Sequence, residues 1–231
     1  MKQYDQTNID NIENLDREAQ NLGLGGKISP ENTEKRYKER MEKRKNIQLE
    51  RIKIRKEKKG LILVFTGNGK GKTTAALGIA LRTLGHNQKV AIIQFIKGSW
   101  TTGEEKALKI FKKSISWHSL GEGFTWETQD RLRDEELVRN AWGVAKKYIK
   151  DETYKLVILD EINIALKLGY IKSEEIISSI TKYKDRDNHI VLTGRGAPKS
   201  IIEFADLVSE INVIKHPFKE QGIKAQECIE F

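Results

Sequence analysis

After Gly60 the chain alternates between short apolar runs and longer amphipathic stretches. Leu61 to Phe65 reads LILVF, Val90 to Phe95 VAIIQF, Leu156 to Leu159 LVIL and His189 to Thr193 HIVLT. Such runs are the mark of strands buried on both faces. Between the first two lies Thr73 to Leu84, with Ala76, Ile79, Ala80 and Leu84 at helical spacing. Further helices are expected over Gly103 to Lys112, Glu127 to Lys150, Ile162 to Leu168, Ser173 to Tyr183 and Lys199 to Ala205. Leu207 to Val213 and Lys224 to Ile229 are expected to close the sheet. Strands alternating with helices build βαβ units, so the pattern predicts an α/β fold with a mostly parallel sheet flanked by helices.

Ahead of Gly60 the pattern changes. Residues 1–29 are polar, with Gly25 and Gly26 in tandem, and read as an extension of low order. Ser29 and Pro30 form a helix start, with the proline at the first helical position. The segment that follows, to Lys59, is charged and helical, with a thin apolar stripe of Tyr37, Met41, Ile47, Leu49, Ile52 and Ile54. Three parts are therefore expected: an extension over 1–29, a basic helical segment over 30–59 and a catalytic-size domain over 60–231.

Charge follows the same division. The net charge is +9, and residues 30–59 hold 13 Lys or Arg against 6 Glu, a net of +7. The domain itself is only mildly basic. A basic segment attracts polyanions, but this one offers Tyr37 alone for base stacking, so nucleic acid is not expected as a partner. No run of about 18 apolar residues exists, which argues against a membrane helix. The start of the chain lacks the apolar stretch of a signal peptide. Cys228 is the sole cysteine, and a reducing, cytoplasmic location is the expectation.

One motif changes the picture most. TGNGKGKTT spans Thr66 to Thr74, between a buried strand and a helix. Glycines let backbone N–H groups converge on one concavity, and the helix N-terminus adds partial positive charge. The candidate ATP-binding residues are Gly67, Asn68, Gly69, Lys70, Gly71, Lys72, Thr73 and Thr74. Lys72 brings a full charge to the phosphates, and the Thr73 hydroxyl can ligate Mg²⁺. The loop departs from the usual pattern at its first position, where Thr66 replaces glycine. The fold this implies is of the P-loop (RecA-like) kind. Asp160 and Glu161 end the LVIL run, where P-loop proteins hold a metal, and either is a candidate ligand for Mg²⁺ (or Mn²⁺). Arg195 and Lys97 fall at strand ends on the same edge.

More particular segments are QFIKGSW (Gln94 to Trp100), GEGFTWETQ (Gly121 to Gln129), VILDEIN (Val157 to Asn163), LTGRGAP (Leu192 to Pro198), and VSEI with KHPF and GIKAQ (Val208 to Gln226). Together with FTGNGKGKTTAALG, this set resembles the ATP:corrinoid adenosyltransferases of the P-loop cobalamin-biosynthesis type, from about Gly60 to Phe231. The resemblance implies attack of a reduced Co(I) corrinoid on the ribose C5′ of ATP, with triphosphate as the leaving group. It implies a nucleotide bound in the reverse sense to that of most P-loop proteins. It assigns Phe124 and Trp126 to the corrinoid, displacing its lower axial ligand, with Trp100 nearby. It also implies a homodimer, a flavodoxin-like electron donor, and a lid or subunit-contact role for the basic helix. The residue chemistry agrees: Co(I) needs no general base, whereas a departing triphosphate needs N–H donors, lysines and a divalent ion. Two other readings remain: an ATPase or kinase that transfers the γ-phosphoryl group, and a nucleic-acid-binding ATPase.

Overall fold

The structure is a computed structural model and describes residues 33–54, 58–96, 102–121, 130–183 and 187–230. These residues divide into two units after Lys58.

In the first unit, helix α1 (Thr33–Ile54) carries Glu34–Lys38 and Glu50–Lys53 pairs on its surface. Tyr37, Leu49 and Ile52 stay exposed, so the apolar stripe buries little within its own unit. Exposed pairs of this spacing each add only about 0.2–0.5 kcal/mol. The expected extension and the helix start at Ser29 and Pro30 lie outside the described residues.

The second unit is built on a six-stranded sheet, all parallel. Its strands are β1 (Ile62–Thr66), β2 (Lys89–Gln94), β3 (Ile115–Ser119), β4 (Tyr154–Asp160), β5 (His189–Thr193) and β6 (Leu207–Glu210). The spatial order is β3-β2-β4-β5-β1-β6. Strands β1, β2, β4 and β5 are central, and their inner residues are almost fully buried. This is why the sequence shows them as unbroken apolar runs rather than alternations. The fold is α/β of the P-loop (RecA-like) kind, with one strand, β5, between the loop-bearing β1 and the acidic β4.

Helices cover both faces. On one, α2 (Lys72–Gly85) lays Ala76, Leu77, Ala80 and Leu84 against Phe65, Ile92, Ile158 and Val191. On the other, α4 (Arg131–Lys150) and α6 (Ser173–Thr181) bury Val138, Ala141, Trp142, Ile149, Ile176 and Ile180 with Ile93, Val157, Leu159 and Leu192. Shorter helices are α3 (Gly103–Leu108), α5 (Ile162–Lys167), α7 (Lys199–Phe204) and α8 (Pro217–Gln221).

Three expectations are corrected. Strand β3 does not figure among the predicted elements: it is an edge strand, ISWHS, half-buried and without an apolar run. Residues 224–229 form no strand. The chain turns instead into α8, capped by the His216 side chain with Pro217 at N1 and ended by Gly222 at φ 65°, and then runs exposed. The helix expected over Gly103 to Lys112 ends at Leu108 and tightens into a 3₁₀ turn over Lys109–Phe111.

Candidate active site

Four strands end together at one edge of the sheet, and their last side chains face α2. In register, Gln94 of β2 lies beside Ser119 of β3 on one side and Asp160 of β4 on the other. Thr193, the last residue of β5, completes the row beside Phe65 of β1. Side chains directly opposite in a parallel sheet share a face, so the polar row Ser119, Gln94, Asp160, Thr193 follows from register alone.

Asp160 is 1% exposed, and its carboxylate is surrounded by donors. Oδ1 accepts from the Thr73 hydroxyl at 2.8 Å and the Thr193 hydroxyl at 2.7 Å. Oδ2 accepts from Gln94 Nε2 at 2.9 Å. A buried carboxylate is tolerated when its lone pairs are filled in this way. Glu161 follows in the left-handed region, at φ 62°, and its N–H donates to the Thr193 hydroxyl. This turn directs consecutive carboxyl groups differently: Asp160 inward to Thr73, Glu161 toward Gly194.

The loop between β1 and α2 rests on the chain that leaves β6. Ile211 N–H donates to Thr66 O at 2.9 Å, and Gly69 N–H donates to Ile211 O at 2.6 Å. The Thr66 hydroxyl accepts from Ala197 N–H at 3.1 Å, tying the loop to the turn after β5. So Thr66, at the position where the usual pattern has glycine, has a structural partner of its own. Gly71 is different. It sits at φ 115° as the N-cap of α2, and a Cβ there would meet no protein atom within 4 Å. The space over Gly71 is open rather than filled by packed protein.

The start of α2 is also left open. It has no side-chain cap and no acidic residue in its first turn. By contrast, Thr102 caps α3 and Asp130 caps α4. An uncapped helix start presents N–H donors and positive potential to an anion.

Lys72 lies inside this cradle, 6% exposed, and its ammonium donates to Gly69 O at 2.6 Å. Burial holds its pKa below the ordinary lysine value. The Glu161 carboxylate pushes it back up, the Arg195 guanidinium pushes it down, and Asp160 pushes it up. Lys72, Glu161, Arg195 and Asp160 thus form one electrostatic group, although Arg195 itself is exposed. Asn68 and Thr74 are exposed beside the loop. Lys70 stands apart, ion-paired with Glu230 at 2.7 Å.

Trp100, Lys97, Phe124 and Trp126 lie outside the described residues. Gln94, Thr193 and Ile211 carry contacts to which the sequence assigned no role. A signal was present for two of them: VAIIQ and HIVLT, like LVILD, each end an apolar run on a polar residue.

The comparisons with known proteins agree with this architecture. Residues 58–231 match the profile of the family described as ATP:corrinoid adenosyltransferase BtuR/CobO/CobP. The chain is 47% identical over 203 residues to a corrinoid adenosyltransferase of Pseudomonas aeruginosa, covering 88% of this chain and 98% of that one. A corrinoid adenosyltransferase of Sinorhizobium sp is 45% identical, over 90% of this chain and 97% of the relative. One from Escherichia coli (strain K12) is 38% identical, over 86% of this chain and all of the relative. The chain belongs to the ATP:corrinoid adenosyltransferase family, enzymes that transfer an adenosyl group to a corrinoid.

Proposed function

We propose that this enzyme transfers the 5′-deoxyadenosyl group of ATP to the cobalt of a reduced, Co(I) corrinoid and releases inorganic triphosphate. The Co(I) centre supplies the electron pair for the new cobalt–carbon bond. The C5′–O bond breaks, and its electrons leave with the triphosphate. No proton moves, so the reaction needs no general base. The observation that carries the reading is the open cradle of Gly71, the uncapped start of α2 and the buried Lys72 ammonium. It fits the group that must depart with negative charge.

In this reading Gly67, Asn68, Gly69, Lys70, Gly71, Lys72, Thr73 and Thr74 bind the phosphates, with Arg195 assisting. Lys70 has to exchange Glu230 for phosphate to take part. The donor set at Thr73 and Asp160 is all oxygen, with the two groups 2.8 Å apart, and suits a hard cation. Among the described residues no cluster of three or more His, Cys, Asp or Glu could hold a metal by itself. Mg²⁺ fits such a site because it takes most of its ligands from water and phosphate. When bound, Mg²⁺ or Mn²⁺ neutralises charge on the leaving group. Thr73 and Asp160 would hold it, with Glu161 beside them.

Phe124 and Trp126 would present apolar surface to the corrinoid, with Trp100 as a further wall. Displacing the lower axial ligand makes Co(II) easier to reduce, because an axial donor stabilises the oxidised metal. The proposal extends to a homodimer, a flavodoxin-like electron donor and a cytoplasmic location. Among the described residues no helix is long and apolar enough to cross a membrane. The basic segment over 30–59 is proposed as a lid or subunit contact of the domain over 60–231; for residues 1–29 no role is proposed.

The test is spectroscopic. Full-length protein, ATP, Mg²⁺ and chemically generated Co(I) corrinoid should yield the light-sensitive alkyl-cobalt spectrum. Unchanged ATP with no such spectrum overturns the reading. Trp126→Ala separates the two stages. It should slow turnover from Co(II) about tenfold or more while sparing turnover from pre-reduced Co(I). Equal losses from both starting points would count against ligand displacement.

A further inference from the structure

We propose that Gln94 is a positioning residue for the metal-facing pair Thr73–Asp160, and that its amide is oriented by Trp117 and Ser119 of the edge strand. The proposal rests on the reading of Thr73 and Asp160 given above.

Gln94 is 2% exposed and ends β2, between Ser119 and Asp160 in register. Its backbone is fixed from both sides: Gln94 O accepts from Leu120 N–H at 3.1 Å, and the next residue, Phe95, donates its N–H to Asp160 O at 3.0 Å. The amide then has one useful orientation. Trp117 Nε1 lies 3.1 Å from Gln94 Oε1, and an indole N–H can only donate. The oxygen must therefore face Trp117, where it also accepts from the Ser119 hydroxyl at 2.8 Å. That leaves the amide NH₂ facing Asp160, where Nε2 donates to Oδ2 at 2.9 Å. With Oδ2 held by Gln94, Oδ1 is presented to Thr73 and Thr193. A flipped amide would set oxygen against carboxylate oxygen and turn Asp160 away from Thr73. The chain Trp117–Gln94–Asp160–Thr73 thus reaches from the edge strand to the first turn of α2. Partners that orient ligand carboxylates typically matter 10- to 100-fold for metal affinity, although they never touch the ion.

The test measures ATP binding to the full-length protein without corrinoid, once with saturating Mn²⁺ and once with chelator. In Gln94→Leu, the Kd for ATP with Mn²⁺ should rise about 10- to 100-fold, while the Kd with chelator stays at the wild-type value. Trp117→Phe keeps the ring but removes the donor that fixes the flip. It should weaken Mn²⁺-supported binding about 3- to 10-fold, the scale of one hydrogen bond. A merely structural role would weaken binding with and without metal alike, and that result overturns the proposal. If Gln94→Leu does not fold, Trp117→Phe carries the decision by the same split. Thr73→Ala separates this proposal from the reading beneath it. Loss of the Mn²⁺ effect in Thr73→Ala, with none in Gln94→Leu or Trp117→Phe, sinks only the role of Gln94. Absence of any Mn²⁺ effect in the wild-type protein sinks the metal reading, and this one with it.

Discussion

Lys72→Ala should lower kcat/KM for adenosyl transfer about 10²- to 10³-fold, measured from pre-reduced Co(I) corrinoid so that reduction does not enter. The ammonium is nearly buried, so little water screens it, and it is already held at the loop by Gly69 O. Its stability effect has the opposite sign. Burial places the folded-state pKa of Lys72 below its unfolded value. A lysine shifted down opposes folding wherever it is charged, and the opposition is relieved as pH rises through the folded pKa toward the unfolded one. Removing the amine should therefore leave the melting temperature at neutral pH unchanged or slightly raised, while activity collapses. Arginine is a poor substitute, because its wider planar fork must fit a cradle that holds a compact ammonium. A Lys72→Ala enzyme with near-normal turnover would remove this residue from the mechanism.

Gly67→Ala should be the most damaging small substitution in the loop for stability. Gly67 sits at φ 94°, and a Cβ there would come 2.8 Å from Ile211 N and closer still to Ile211 O. Neither atom can give way cheaply. Ile211 N–H is bonded to Thr66 O, and Ile211 O accepts from Gly69 N–H. Left-handed backbone costs an L-residue about 1–2 kcal/mol, and overpacking adds about 1–3. Together they predict a loss of about 3 kcal/mol, which in a domain of this size lowers the melting temperature by about 6–12 °C. Gly71→Ala makes the contrast. Its φ is also positive, but a Cβ would meet nothing, so only the backbone term applies. Its methyl group would instead stand in the open space over the loop, and nucleotide affinity should fall more than stability does. Thermal melting and ATP titration of the two variants check both halves. Equal melting temperatures would contradict the account of Ile211 as a rigid support.

What the sequence made legible has a physical pattern. Central strands of a parallel sheet are buried on both faces, so LILVF, VAIIQF, LVIL and HIVLT announce themselves. An edge strand such as ISWHS has solvent on one side and needs no apolar run, so composition does not mark it. Lys224 to Ile229 misled in the converse direction. Its only β-branched residue is Ile229, and its backbone closes a turn instead, with Gln226 O accepting from the Ile229 and Glu230 N–H groups. The signals that won nearby were local: Pro217 at a helix start and Gly222 at its end. That Lys72, Thr73 and Asp160 come together was legible, because a Gly-rich strand-to-helix loop and a strand-end acid mark their positions in residue type and order. Gln94, Thr193 and Ile211 were not, because their contacts arise from register between strands distant in the chain. A polar residue ending an apolar run shows where to look, but not which neighbour it will meet.

The most direct test is phosphorus NMR of the reaction mixture during turnover with Co(I) corrinoid, ATP and Mg²⁺. The cradle around Lys72 should let three phosphates leave together. Inorganic triphosphate should appear in step with alkyl-cobalt absorbance, one for one. ADP with orthophosphate as the products of turnover, or alkyl-cobalt formed without triphosphate, would contradict it.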